Sequence, residues 1–171
     1  ALSMSASVSC VEHAGRQPRF CDIGDDYCMD LEEASGWQVV VAHLLGHHAN
    51  VPAQWTAMVV HDCAQSPSVR PLVARPQDIW CYSLNQWKVV SCGEGGYALT
   101  FSKEIADRLH AVRNHGECFT EDILGWNYRM TEMQASIARR EFKELDKRLA
   151  ARMEWAEEIQ ETYDLPPDPG N

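Results

Sequence analysis

The sequence predicts an α/β domain with a mostly parallel sheet and flanking helices, followed by a helical arm. Two short runs rich in β-branched residues, 37–43 and 56–61, are nearly uninterrupted, as are strands buried on both faces of a parallel sheet. Helix-like stretches flank these runs, and helical periodicity becomes continuous after residue 131. Because alternating strands and helices favour this architecture, we assign residues 1–130 to the α/β portion and 131–171 to the arm.

Composition limits the classes of partner. The chain has 171 residues, of which 45% are apolar, enough for one hydrophobic core. Its 25 acidic and 15 basic residues give a net charge of −10, so we expect no nucleic-acid partner. No apolar run approaches the roughly 18 residues of a membrane span, and no leader opens the chain. We therefore expect a cytosolic protein without a membrane partner.

The first predicted elements precede the two buried strands. Residues 4–14 are expected to form a helix closed by Gly15, since a glycine readily ends a helix. Residues 19–23 are predicted as a strand that ends in an acidic turn, and residues 31–34 as a short helical stretch. These elements would bring the chain to the edge of the sheet.

Three more strands are predicted after the buried pair. They span residues 79–84, 89–92 and 97–101, and each is rich in apolar, β-branched or aromatic residues. The last two are separated by Gly-Glu-Gly-Gly at 93–96, which predicts a hairpin because glycine accepts the positive φ of a tight turn.

Two helical segments complete the predicted elements. Ser102 is a suitable N-cap for a helix that runs to about residue 114, with Gly116 beyond its end. Residues 131–163 form one long helix or two abutting helices, which Pro166 and the proline after it would stop. The apolar residues of the long segment step by three or four along one face: Phe142, Leu145, Leu149, Met153, Ala156 and Ile159.

Two polar residues at predicted strand ends are candidates for chemistry. Asp62 follows a buried strand, at the edge where α/β sheets bind ligands, although a carboxylate there could equally cap the next turn. Lys88 has apolar neighbours, which would make its amine easier to deprotonate and thus a nucleophile or Schiff-base former. A surface lysine is the simpler alternative.

Five segments in a fixed order along the chain carry the strongest functional signal. They are residues 20–22 (Phe-Cys-Asp), 61–65 (His-Asp-Cys-Ala-Gln), 88–96 (Lys-Val-Val-Ser-Cys-Gly-Glu-Gly-Gly, preceded by Ser83), 113–116 (Arg-Asn-His-Gly) and 125–135 (Gly-Trp-Asn-Tyr-Arg-Met-Thr-Glu-Met-Gln-Ala). Together they resemble the DegT/StrS-type sugar aminotransferases, which are pyridoxal 5'-phosphate (PLP) enzymes of the aspartate aminotransferase fold, fold type I. The resemblance covers residues 1 to about 165 and implies the large domain of that fold.

The resemblance implies a role for each of four residues. Asp62 matches the carboxylate that keeps the ring nitrogen of PLP protonated, and Gln65 would lie near the phenolic oxygen. Ser83 matches a hydroxyl that binds the phosphate. Lys88 would carry the cofactor as a Schiff base and then transfer protons as general acid and base.

The resemblance also implies a homodimer with shared sites. Asn127, with Arg129, would reach the phosphate or substrate edge of the neighbouring subunit's site. Met4 stands where relatives often place an aromatic ring against the pyridine face, so stacking would be weaker here. His61 replaces the acidic residue usual before the aspartate, which would alter hydrogen bonding near the ring.

The implied reaction moves an amino group from glutamate or glutamine to a keto-sugar nucleotide or a keto-cyclitol. Family members are more than twice this length, with an upstream phosphate-binding turn and a downstream small domain. We therefore expect an excerpt or a shortened gene that represents the central portion. The alternative function is a catalytically inactive, truncated homologue that acts as an assembly subunit.

Two other kinds of site are weaker alternatives. His43, His47 and His48 could supply a metal pair on a helix, but no glutamate follows the first histidine and a glycine interrupts the helix, so we expect no metal. Cys63 and Cys92 lie close to the proposed site, but no oriented Cys-His arrangement is evident. All seven cysteines lack a C-x-x-C spacing and are expected to be reduced, mostly buried thiols.

Overall fold

A computed structural model describes residues 3–71, 75–117 and 123–166, and within them one sheet has four strands. These are β1 (Val39–Ala42), β2 (Val59–Asp62), β3 (Ile79–Ser83) and β4 (Gly96–Leu99), in the spatial order β1-β2-β3-β4. The first two neighbouring pairs are parallel and β3 pairs with β4 antiparallel. The prediction of a mostly parallel sheet is therefore confirmed.

The hydrophobic core lies against alternate residues of the strands. In β1 and β2, Val41 and Val59 are completely buried, whereas their neighbours Val40 and Val60 are half-buried. We expected burial on both faces, but only one face is fully covered in the described residues. A first cluster packs around Val41 and Val59, and a second lies around Trp80 and Tyr82 of β3.

Helices occupy the predicted positions. They are α1 (Ser5–His13), α2 (Lys103–Arg113), α3 (Glu132–Glu141) and α4 (Leu145–Tyr163), with a 3₁₀ turn at Leu44–Gly46 and another at Phe142–Glu144 between α3 and α4. The long segment is thus two abutting helices. None of the helices in the described ranges is long and apolar enough to cross a membrane.

Local side-chain chemistry explains several helix ends. The Ser102 hydroxyl accepts a hydrogen bond from the Ile105 N–H at the start of α2, as predicted. Thr131 and Gln134 form a reciprocal capping box that starts α3. α4 ends at Asp164 in a left-handed conformation, before Pro166; the next proline, which we expected to contribute, lies outside the described residues.

Three predicted elements are wrong. Residues 19–23 form only an isolated bridge between Ile23 and Met29, and residues 31–34 form turns. Residues 89–92 are not a strand, so they form no hairpin with β4, which pairs with β3 instead. The reason lies at Leu84, whose backbone bonds both the Cys92 N–H and the Gly95 carbonyl. These bonds make residues 85–91 a closed loop and leave the β3 edge to β4.

A third hydrophobic cluster connects this loop to the helical arm. Leu84, Val90 and Cys92 pack with Ala138 of α3 and Leu145 of α4. The start of the arm is therefore part of the packed unit rather than a detached extension. The domain boundary at residue 130 stays a prediction.

Candidate functional site

The candidate site lies at the C-terminal ends of β2 and β3. Asp62 and Cys81 are register partners, so their side chains point to the same face of the sheet. Ser83 follows two residues after Cys81 on that face and ends β3. This is the edge at which open α/β sheets bind ligands.

Asp62 uses its two carboxylate oxygens differently. One oxygen, Oδ1, accepts a hydrogen bond of 3.1 Å from the Ala64 N–H, which is the turn-capping contact expected in the simpler interpretation. The other, Oδ2, accepts a bond of 2.6 Å from the Ser7 hydroxyl of α1. Among the described residues no cation pairs with this half-buried carboxylate. Within these residues Asp62 therefore has no cationic partner, and a cationic ring could take that place.

Met4 lies at the start of the helix whose Ser7 contacts Asp62. It is the N-cap of α1, one turn before Ser7, so the two lie on the same side of the helix. Met4 is 59% exposed.

Lys88 lies on the closed loop that follows β3. Its N–H donates to the Asn85 carbonyl at 2.9 Å, and the Asn85 N–H donates to the Ser83 hydroxyl at 3.3 Å. These two turns bring the chain back beside the strand end that it has just left. Lys88 is half-buried, between the exposed Trp87 and the buried cluster around Val90.

One cavity of about 410 Å³ joins three of the predicted site residues. Gln65, Ser83 and Lys88 line it, together with Arg152 of α4 and the ring of Tyr97. Asp62 does not line this cavity, although the next residues along the chain do. The structure thus brings Gln65, Ser83 and Lys88 together and leaves Asp62 beside them at the same sheet edge.

The glycine turn is required by close packing. A Cβ on Gly96 would lie 2.6 Å from the Tyr82 carbonyl oxygen, and one on Gly95 would lie 2.9 Å from the Met130 Cε. Gly93 and Gly95 also have positive φ, at 89° and 152°. The turn therefore presses against the end of β3 and holds the loop of Lys88 closed.

Asn127 and Arg129 lie on an exposed loop outside the cavity. Asn127 forms an isolated bridge with Asn114 at the end of α2, and its side-chain oxygen accepts a 3.0 Å bond from the Arg129 Nε. Neither residue lines the cavity. That they contribute to the site of a neighbouring subunit stays a prediction.

Three residues at the site were not predicted from the sequence: Arg148 and Arg152 of α4, and Ser7 of α1. Arg148 donates to the Val89 carbonyl at 2.7 Å and pairs with Glu141 at 2.6 Å, which ties the arm to the residue after Lys88. Arg152 lines the cavity. Their i, i+4 spacing was visible in the sequence, but it did not identify a partner.

A buried polar network lies directly behind Asp62. The His43 Nε2 and His61 Nδ1 atoms are 3.0 Å apart, and the His61 Nε2 lies 3.4 Å from Asp78, which pairs with Arg75 at 2.8 Å. The His61 ring is also stacked on Trp80. Burial is the main cause that lowers the pKa of His43 to about 4, helped by its histidine neighbours, and burial also lowers the pKa of His61. Both rings are therefore neutral near pH 7.

The histidines and the thiol considered as alternatives have other contacts or stay protonated in the structure. In the described ranges no three His, Cys, Asp or Glu side chains are grouped to hold a metal, and His43 is engaged by His61 and the Ala49 N–H. Burial raises the pKa of Cys63 to about 12, so this cavity-lining thiol stays protonated.

Comparison with known proteins agrees with this geometry. The sequence profile of the DegT/DnrJ/EryC1/StrS aminotransferase family matches residues 1–165. The chain belongs to this family. It is 32% identical over 159 residues to a UDP-N-acetyl-3-dehydro-α-D-glucosamine 3-aminotransferase of Acidithiobacillus ferrooxidans, covering 82% of this chain and 43% of that protein.

Two further relatives extend the comparison. An L-glutamine:2-deoxy-scyllo-inosose aminotransferase of Streptoalloteichus tenebrarius is 29% identical, covering 91% of this chain and 44% of that protein. A DegT/DnrJ/EryC1/StrS aminotransferase of Brucella abortus has the same fold, with a TM-score of 0.82 at 24% identity, covering 99% of this chain and 54% of that one. The chain thus spans less than half the length of these two curated relatives.

The DegT-type aminotransferases are PLP-dependent, and the residues present fit that cofactor. PLP needs an amine for its carbonyl, a carboxylate for its ring nitrogen and donors for its phosphate. Lys88 and Ser83 line the cavity, and Asp62 keeps a carboxylate oxygen bound only by a neutral hydroxyl. Among the described residues no aspartate or glutamate lines the cavity, where it would repel the phosphate.

Proposed function

We propose that this chain is a PLP-dependent aminotransferase, or part of one, that transfers an amino group from glutamate or glutamine to a keto-sugar nucleotide or keto-cyclitol. The single observation that carries the proposal is the convergence of Gln65, Ser83 and Lys88 on one cavity next to Asp62. Family membership and the sugar and cyclitol aminotransferases among its relatives support it.

Each site residue has a role that its chemistry supports. PLP, when bound, supplies an electron sink for the substrate carbon. The Lys88 amine binds the cofactor and moves the proton at the substrate carbon as general base and acid. Ser83 donates its hydroxyl to the phosphate, and Gln65 contributes an amide beside the cofactor's phenolic oxygen.

Asp62 and Met4 complete the proposed cofactor site. The Asp62 carboxylate holds the ring nitrogen protonated, and the Ser7 hydroxyl at 2.6 Å orients the carboxylate for this role. Met4, on the same side of α1, covers the ring with a flexible thioether in place of a rigid aromatic surface.

We also propose a homodimer located in the cytosol. Asn127 and Arg129 are exposed and lie outside the cavity of their own chain, which favours a role in the site of a second subunit. The six cysteines in the described residues are free thiols, as is usual for a reducing compartment.

The first half of the proposed reaction tests this function. The protein is incubated with PLP and either glutamate or glutamine, and the release of the matching keto acid, 2-oxoglutarate or 2-oxoglutaramate, is measured; we expect one equivalent per chain with the donor that it uses. The variant Lys88→Ala should release none. If the wild-type chain binds PLP but releases neither keto acid, the alternative of an inactive assembly subunit is favoured.

A further inference from the structure

The cavity is lined by basic side chains, which is unusual for this acidic chain. The protein has a net charge of −10, yet among the described residues the lining includes two basic side chains, Lys88 and Arg152, and neither an aspartate nor a glutamate. A cavity lined in this way favours the entry of an anion.

The two arginines on this side of α4 differ in what they bind. Arg148 and Arg152 are four residues apart and lie on the same helix face. Nη1 of Arg148 binds both Glu141 and the Val89 carbonyl. Among the described residues Arg152 has neither an ion pair nor a hydrogen bond. Arg148 therefore fixes the helix against the Lys88 loop, and the next turn holds an unpaired guanidinium at the cavity.

A guanidinium is well suited to bind an anionic oxygen group. Its planar donors match a carboxylate or a phosphate with two parallel hydrogen bonds, and its charge does not depend on pH in the physiological range. Ser83 is already the donor for the cofactor's phosphate in the proposed function. Arg152 is therefore available to bind an anionic group of the substrate.

We propose that Arg152 binds the carboxylate or phosphate group of a substrate whose reacting end lies at Lys88. This inference rests on the proposed function and adds a substrate-binding residue from the helical arm. It also gives the arm a role in substrate recognition, since Arg148 determines where Arg152 stands.

Binding of two simple anions to the protein without PLP tests the inference. Inorganic phosphate represents a phosphorylated substrate and glutarate represents the amino donor, and both are titrated by calorimetry. We expect one of them to bind the wild-type chain, and Arg152→Gln to weaken that binding by about tenfold or more. Arg152→Lys should restore it in part, because the charge is kept while the paired donors are lost.

A matched control removes the same charge elsewhere. Arg140→Gln changes an exposed arginine of α3 that does not line the cavity, so its affinity for the anion should equal that of the wild type. The inference is overturned if Arg152→Gln binds both anions as tightly as the wild type, or if neither anion binds the wild-type chain. It is also overturned if Ser83→Ala abolishes anion binding while Arg152→Gln does not.

A separate readout distinguishes this inference from the proposed function. The attachment of PLP to Lys88 is measured in the Arg152→Gln protein. If PLP attaches normally in Arg152→Gln and the anion affinity is unchanged, the role of Arg152 is disproved and the proposed function is not. Failure of PLP to attach to Lys88 in the wild type disproves the proposed function, whatever the anion titration gives.

Discussion

The buried histidine pair behind Asp62 should make the protein sensitive to mild acid. His43 is 2% exposed, and burial lowers its pKa from 6.5 to about 4. An unfolded chain takes up a proton at this histidine below about pH 6.5, whereas the folded chain does so only near pH 4. The unfolded state therefore binds more protons in this window, and stability falls as the pH decreases. The lowered pKa of His61 acts in the same direction.

The expected loss follows from the size of the shift. A displacement from 6.5 to about 4 corresponds to about 2 kcal/mol of unfolding free energy lost between pH 7 and 5, and about 3 kcal/mol by pH 4. This is a large fraction of the roughly 5–15 kcal/mol that stabilises an ordinary domain. Other titratable or charged groups also act on the two histidines: Asp62, Asp78, Arg75 and His48. The substitution described next leaves all four of them unchanged.

Urea unfolding followed by circular dichroism measures the effect at pH 7, 6 and 5. His43→Gln removes the titrating ring, so it should lower stability at pH 7 but reduce the loss between pH 7 and 5 by about 2 kcal/mol. His13→Gln, at an exposed histidine of α1, serves as control and should keep the wild-type slope. An unchanged pH slope in His43→Gln would refute the reasoning.

Three further experiments test other parts of the site. Asp62→Asn should keep the fold and slow 2-oxoglutarate release by orders of magnitude, because the ring nitrogen loses its carboxylate; ordinary turnover would reduce Asp62 to a turn cap. Lys88→Ala mixed with an Asn127→Ala, Arg129→Ala double variant should regain activity at one site per mixed dimer, and no recovery despite subunit exchange would contradict shared sites. Gly96→Ala should destabilise the protein by about 1–3 kcal/mol in urea unfolding, since its Cβ would meet the Tyr82 carbonyl.

The sheet was largely predictable, but the strand predicted at residues 89–92 and its hairpin do not form. Apolar, β-branched runs correctly indicated β1, β2 and β3. Val89 and Val90 have the same local preference for a strand, yet the backbone of Leu84 bonds Cys92 and Gly95 and closes the loop. A competition between distant partners for the edge of β3 has no signature in local propensity.

The candidate site was predictable where it depends on the ends of strands. Gln65 follows β2 and Ser83 ends β3, and the parallel pairing brings those strand ends together. The contribution of the arm was not predictable, because Arg148 and Arg152 look like ordinary charges on a helix surface. Only the packing of α4 against the Lys88 loop distinguishes the two residues.

The central claim is that Lys88 carries the cofactor, and covalent trapping tests it most directly. The protein is incubated with PLP, reduced with borohydride, digested and analysed by mass spectrometry. We expect a pyridoxyl group on Lys88 and none on Lys103, an exposed lysine of α2 paired with Asp107. Attachment mainly at other lysines, or at none, would contradict the account.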